Sequence, residues 1–590
     1  MRVITAAPRL PDAARDLGAV RADATVSGAV VLRPRSQAAL TSFIAAVTDK
    51  HSPLFHHYLA PGEFAARFGP AQSSIDAVTA QLRREGLDVT VGRNGMVVSF
   101  RGAAAQVEHA FRVGLDRVRL ADGSLGRVRT APVRLPATIA GLVTSVVGLD
   151  HVVRFQPAAI IAQNGARSHP AAKKATFPHP AGSPTPCTAA KNAATRYGGL
   201  TDDQIAHAYG AFGLYGASDF GAGQHIAIFE LEPFDQSDID AFNTCYFGAA
   251  AATAMAGRLN TIAIDGGQLA GPGSGESLLD IEDVSAMAPG ANIDVYEAPN
   301  STFGVFDEYA AIINDDVDQI ISTSWGLCEQ VVQLAEPGLL EAENLLFQQA
   351  AAQGQSVFAA SGDNGSDSCF SFYRRNPISP VLSQVDPASQ PYVVGVGGTT
   401  IDNPTQPADE HVWNDGIFWG AGGGGISDAW PMPTWQLSSL VPGSHDAAII
   451  QGANSFEAGD IPKPGYAFCL TDNPAGANQT ACREVPDVSA QADEFTGGIT
   501  VYAGRYGGWN TFGGTSSAAP IWAALLALAN ESATCQSNVA TANGVGFVNP
   551  LLYSVASNPA AYAASFNDIT AGNNDGSWRE GTRPPTPPPG

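Results

Sequence analysis

Two rhythms of apolar and polar positions divide the chain. In residues 26–150 short strand-like and helix-like spacings alternate. Val26–Leu32 reads as a strand. Ser36–Asp49 reads as a helix capped by Ser36, because Leu40, Phe43, Ile44 and Val47 recur at three- and four-residue intervals on one face. Ser73–Glu85 is a second helix. Asp88–Val91 and Met96–Phe100 form a hairpin around Arg93-Asn94-Gly95. Ala103–Leu115 gives a third helix and Gly126–Thr130 a further strand. These elements predict a compact α+β module with an antiparallel sheet.

From about residue 190 the rhythm changes to near-continuous apolar runs. Ile226–Leu231, Ile293–Tyr296, Gln319–Ser324, Val357–Ala360 and Tyr392–Val396 alternate with helical stretches. Strands of that kind fit a mostly parallel sheet covered by helices on both faces, an α/β domain. The helix Pro337–Gly354 lies between two of them, as a right-handed crossover requires. Residues 155–186 hold six Pro and no acidic residue. They read as a linker with exposed Arg167, Lys173 and Lys174, open to cleavage. The expected division is a module over 1–154, a linker over 155–189, the α/β domain over 190–578 and an atypical Pro-rich tail over 579–590.

Composition sharpens this division. The 590 residues are 45% hydrophobic and 15% charged, enough for a large core. No apolar run reaches the ~18 residues of a membrane helix, so no membrane partner is expected. The net charge of -24 conceals an asymmetry. Residues 1–180 carry 22 Lys and Arg against 12 Asp and Glu; the rest carries 10 against 44. The basic residues are scattered rather than clustered, which argues against nucleic acid. The acidic half of the same chain is the nearer partner. All seven Cys lie after residue 180 without zinc or redox spacing. Disulfides in an oxidising compartment, with one thiol left over, are the expectation, and Cys469–Cys482 is the first candidate pair. The first residues, MRVITAAPRLPDAARD, show no apolar signal-peptide core.

Three stretches carry candidate chemistry. Gly513-Gly514-Thr515-Ser516-Ser517 runs into a clear helix, so Ser516 stands near a helix N-terminus, where free N–H groups favour negative charge. That suits a nucleophile and an adjacent oxyanion, or simply an N-cap. None of His207, His225, His411 and His445 sits in a motif that would supply a base. Glu276 and Asp280 are spaced i and i+4 in Gly275-Glu276-Ser277-Leu278-Leu279-Asp280, on one helix face. Held close they share a proton and can work as a base in acid; otherwise they are a solvated helix end. Asp363 follows a buried strand in Ser361-Gly362-Asp363-Asn364-Gly365. Protonated, it can donate to a tetrahedral oxyanion; alternatively the stretch is an ordinary turn.

Taken together, the stretches around Ser516, Glu276, Asp280 and Asp363, with Ile321-Ser322-Thr323-Ser324-Trp325-Gly326, resemble the sedolisin family of serine-carboxyl peptidases. His56-His57-Tyr58-Leu59, Phe64–Pro70 and Val107–Phe111 resemble its pro-kumamolisin-type activation domain. The resemblance implies a subtilisin-like fold preceded by a ferredoxin-like α+β prodomain. It implies acid-active endopeptidase action on polypeptides, a zymogen inhibited by its own prodomain, secretion, and a monomer. It also gives Glu230 and Trp325 accessory roles beside the catalytic Glu. Alternatives are a tripeptidyl aminopeptidase of the same family and an inactive peptide-binding pseudopeptidase. The family's calcium site is half present, at Asp568 and Ile569; its later Gly-rich loop is not recognisable after Asn574.

Overall fold

The computed structural model describes residues 1–10, 14–120, 123–161, 172–173, 177–267, 275–369, 383–405, 408–416, 419–438, 482–537 and 544–574. Its first part is a four-stranded antiparallel sheet in the order Asp88–Val91, Val97–Ala103, Thr25–Leu32, Val143–Val147. That order, with helices Gln72–Arg84 and Ala104–Phe111 between the strands, is the ferredoxin-like arrangement. The helix expected from Ser36 spans Gln37–Thr48, with the Ser36 hydroxyl accepting from Ala39 N–H, and it buries Leu40, Phe43, Ile44 and Val47. The third helix is shorter than its apolar pattern suggests. Arg112 adopts a left-handed conformation (φ 59°) and ends it, and Leu115 already belongs to the next strand.

The second part is built on a mostly parallel sheet. Its strands run in the order Leu259–Ala263, Asn292–Glu297, His225–Glu230, Ile320–Thr323, Ser356–Ala360, Val394–Asn403 and Asp409–Val412, and Val488–Gln491 also pairs with Val394–Asn403. Only Asp409–Val412 runs antiparallel among these pairings. Alternation along each strand feeds two cores. Ile226 and Ile228 meet helices Gly275–Met287 and Thr515–Glu531. Ala227 and Phe229 meet helices Thr302–Asp315 and Leu339–Gln353. The fold is therefore subtilisin-like α/β. No helix among the described residues is long and apolar enough to cross a membrane.

The two parts meet through apolar side chains, with a buried polar cluster in which Glu336 accepts from the Val152 N–H (3.1 Å) and faces Asp150 and Arg129. In the strand Thr25–Leu32, Val26 and Val30 face the module's own core, whereas Ala29 and Val31 join the core of helices Thr302–Asp315 and Leu339–Gln353. Neutral amides add to this contact: Asn94 donates to Gln349 (2.9 Å), and Asn300 brackets the backbone of Phe155 (3.0 and 2.9 Å). Among the described residues, Arg93–Asp315 (3.0 Å) is the ion pair that crosses, and the Arg93 side chain is largely exposed. An exposed pair of this kind is worth at most about 1 kcal/mol.

The linker also differs from expectation. Gln156–Pro157 pairs antiparallel with Trp325 and Gly326, and Ile160–Ile161 pairs antiparallel with Phe512 and Gly513. Further on, Phe177 stacks on His207 (centroids 4.0 Å apart) and meets Phe212 edge-on. Arg167 and Lys174 lie outside the described residues. Disulfides join Cys187–Cys245 and Cys328–Cys369. Cys482 is disulfide-bonded too, while its expected partner Cys469 lies outside the described residues.

Candidate active site

The carboxyl edge of the sheet collects the candidate residues, where open α/β sheets place their sites. Glu230 ends one strand, Ser324 and Trp325 follow another, and Asp363 follows a third. Helix Gly275–Met287 brings Glu276 and Asp280, and helix Thr515–Glu531 carries Ser516 in its first turn. The solvated alternative fails: Glu276, Asp280 and Ser516 are at most 2% exposed.

Asp280, Glu230 and Asp363 each have a defined support. Asp280 accepts from the Ser324 hydroxyl (2.9 Å), which also lies 3.3 Å from the Ser516 carbonyl. Glu230 accepts from Trp325 Nε1–H (3.0 Å) and from the Ser277 hydroxyl (2.8 Å). Asp363 Oδ1 accepts from the backbone N–H (2.8 Å) and the hydroxyl (2.9 Å) of Thr515, beside Ser516. Its Oδ2 is shut off from solvent and makes no hydrogen bond. Gly514 (φ 99°) is required here, since a Cβ would fall 2.6 Å from Asp363 Oδ2 and onto the Ala158 carbonyl oxygen.

Burial dominates the electrostatics. Glu276 is pushed well above the usual carboxylate range by burial, then by the charges of Asp280 and Glu230. The Ser516 hydroxyl pulls it back. Ser516 Oγ itself has no partner at bonding geometry. Asp280 and Glu230 are raised by burial as well, against the Ser324 hydroxyl and the Trp325 N–H respectively. Asp363 is raised to about 7 by burial, opposed by the two Thr515 bonds. Such a cluster keeps protons into neutral pH. It offers one carboxyl to take a proton from a hydroxyl and another to donate one, without a histidine.

Three participants carry no assigned role in the motifs: Ser324, Thr515 and Ser277. Each is adjacent in sequence to a motif residue, and that adjacency is the signal that could have found them. Asp568 and Ile569 are not brought together with a calcium ligand set. Asp568 is exposed and its carboxylate accepts from Tyr562 (3.1 Å). Among the described residues, two groups place three metal-ligating atoms near one another, His225/Asp294/Asp318 and Asp415/Asp493/Glu494, and neither includes Asp568. Among the described residues, those around Asp568 do not supply the six to eight oxygens that calcium needs.

Comparison with known proteins places this geometry in context. The family description "Pro-kumamolisin, activation domain" matches residues 12–152, and "Subtilase family" matches residues 248–544. Kumamolisin of Bacillus sp. (strain MN-32) is 31% identical over 577 residues, 95% of this chain and 87% of the relative. Sedolisin of Pseudomonas sp. (strain 101) is 29% identical, over 92% of this chain and 81% of the relative. Tripeptidyl-peptidase 1 of Canis lupus familiaris is 27% identical, over 92% and 85%. A solved Pseudomonas sedolisin, complexed with two molecules of pseudo-iodotyrostatin, is 27% identical and aligns with 64% of this chain and 89% of its own at a TM-score of 0.46.

Proposed function

Because the chain belongs to the sedolisin family of serine-type peptidases and carries that family's activation domain, we propose that it is an acid-active endopeptidase made as a zymogen. Ser516 is the nucleophile and Glu276 its base. Asp280 holds the proton that the pair shares. Asp363 and the Ser516 N–H receive the oxyanion. Glu230 and Trp325 act through Glu276, as positioning residues. The carrying observation is the buried carboxyl group set around Ser516, at most 2% exposed at Glu276 and Asp280 and supported by hydroxyls rather than cations.

The pH direction follows from that burial. Asp363 must be protonated to donate to an oxyanion, and its carboxyl is raised to about 7. Activity is therefore present in acid and is lost as pH rises through about 7. Endopeptidase rather than tripeptidyl action is the reading carried over from the resemblance to the kumamolisin type, which is also the relative at 31% identity. Secretion fits the disulfides, which persist in oxidising compartments.

Hydrolysis of a denatured protein at about pH 4, where carboxyl pairs titrate, tests the reading. Activity is expected in the native chain and a loss of about 10³-fold or more in Glu276→Gln, with the fold unchanged. An active Gln variant removes Glu276 from its role. N-terminally blocked peptides are cut only by an endopeptidase, so their survival would favour the tripeptidyl alternative.

A further inference from the structure

The stretch between the two domains occupies the cleft as a substrate does. Gln156 and Pro157 lie antiparallel to Gly326 and Trp325. The next N–H, that of Ala158, donates to the Ser324 carbonyl at 3.1 Å, and the Ser516 N–H points back at the Ala158 carbonyl oxygen at 3.3 Å. Ile160 and Ile161 then lie antiparallel to Gly513 and Phe512, on the other side of the nucleophile. The pairing changes partner strand between Pro157 and Ile160, directly over Ser516. The Ala158 oxygen is also the atom that Gly514 must make room for, beside the unbonded Asp363 Oδ2. Both Ala158 and Ala159 pack on the core that holds helix Thr515–Glu531.

From this register we infer that Ala158–Ala159 is the first bond the protein cuts in its own chain, in cis, and that its cleft accepts a small residue on each side of that bond. The inference rests on Ser516 being the nucleophile, and it adds the bond, its orientation and its order. Pairing on both sides fixes the Ala158 carbonyl against the hydroxyl before reaction, which is the advantage of an intramolecular encounter. The Ser516 Oγ bonds to the Ala158 carbonyl carbon and its proton passes to Glu276. The bond from that carbon to the Ala159 nitrogen breaks, and Glu276 gives the proton to the departing amine. One water then adds its OH to the acyl carbon while its proton goes to Glu276 and on to the Ser516 oxygen as that bond breaks. One peptide bond and one water become one carboxyl and one amine. Downstream, the new Ala159 terminus stays with the catalytic domain through Phe177, stacked on His207 and backed by Phe212. Upstream, Ala158 leaves with the prodomain.

The full chain is shifted from neutral pH to about pH 4, quenched over a time course, and its new termini mapped by mass spectrometry, with casein added in parallel. Termini at Ala158 and Ala159 are expected first, at a rate unchanged over about a hundredfold range of protein concentration, as for any intramolecular step. Ala158→Pro removes the N–H given to Ser324, and it should slow that first cut by about 100-fold or more. Its thermal midpoint at neutral pH reports folding, and the mapping on the unaltered chain stands without it. Casein hydrolysis with first termini elsewhere, or a first cut that scales with concentration, overturns the inference and leaves the peptidase reading intact. A folded chain that cuts neither casein nor itself overturns both.

Discussion

Two buried carboxylate sites in this molecule are treated in opposite ways. At Arg483 and Asp487 both side chains are fully buried, and the guanidinium meets the carboxylate with two bonds of 2.6 and 2.5 Å. Tyr553 and the Gly395 N–H complete the Asp487 shell. At Glu276, Asp280 and Glu230 the neighbours are other acids, hydroxyls and an indole. The first arrangement offsets the cost of burial by pairing opposite charges and holds strand ends together. The second leaves like groups facing each other, so that they retain protons which can be exchanged with a substrate. At Arg483 the cation makes the buried acid part of the scaffold; around Ser516 the acids face only acids, hydroxyls and an indole.

Removing one partner at each site breaks this contrast most sharply. Arg483→Met strands Asp487 in the core and is expected to lower stability by about 3–5 kcal/mol, read by denaturant unfolding, with activity per folded molecule unchanged. Asp363→Ala should do the reverse. It removes the proposed oxyanion donor, for a loss of about 10²–10³ in kcat, with little change in the unfolding midpoint. Asp363→Asn keeps a donor at every pH, so the decline in kcat/KM near pH 7 should shift or flatten. A decline that stays in place means another group sets it.

The smallest and broadest effect concerns pH and stability. Asp202, Asp363 and Asp493 are raised to about 7, and Asp318 and Glu336 to about 8, each chiefly by burial. The folded chain therefore binds more protons than the unfolded chain between about pH 4 and pH 8. That stability is fully present below about pH 4, the ordinary carboxyl value, and is lost as pH rises through 7 to 8. His151, lowered to about 4 by burial, works against it below its ordinary value. In the inactive Ser516→Ala chain the thermal midpoint should fall by several degrees, about 4 or more, between pH 5 and pH 8. A midpoint that rises over this range would place the acids outside the cooperative core.

Much of this was legible in the residues, and the exceptions share one cause. The helix bearing Glu276 and Asp280 and the helix start at Ser516 follow from local periodicity and local capping signals. So does the Ser36-capped helix, whose four predicted apolar residues are the four it buries. Burial of Glu276 and Asp280 could not be read from their own helix, because it depends on helix Thr515–Glu531 and on Ser324 packing over them. Residues 156–161 read as linker because their hydrogen-bonding partners are Ser324, Gly326 and Gly513, far along the chain. Strand pieces of 2 residues each are too short to show an alternation of their own. Net charge pointed to the acidic half as the module's partner, but a global property says nothing about which atoms meet, here Ala29 and Val31 against the second core.

The strand lying over Ser516 is joined to the protein at both ends, and this makes it a tethered ligand. Its effective concentration at the cleft is of millimolar order, as for short flexible connections, so even weak individual contacts keep the cleft filled and free peptides out. Cutting one bond in the middle does not by itself vacate the site. It converts one bivalent occupant into two monovalent ones, each held by contacts on one side of the break. Dilution then becomes a signal, because the upstream half can depart with its domain and is not replaced.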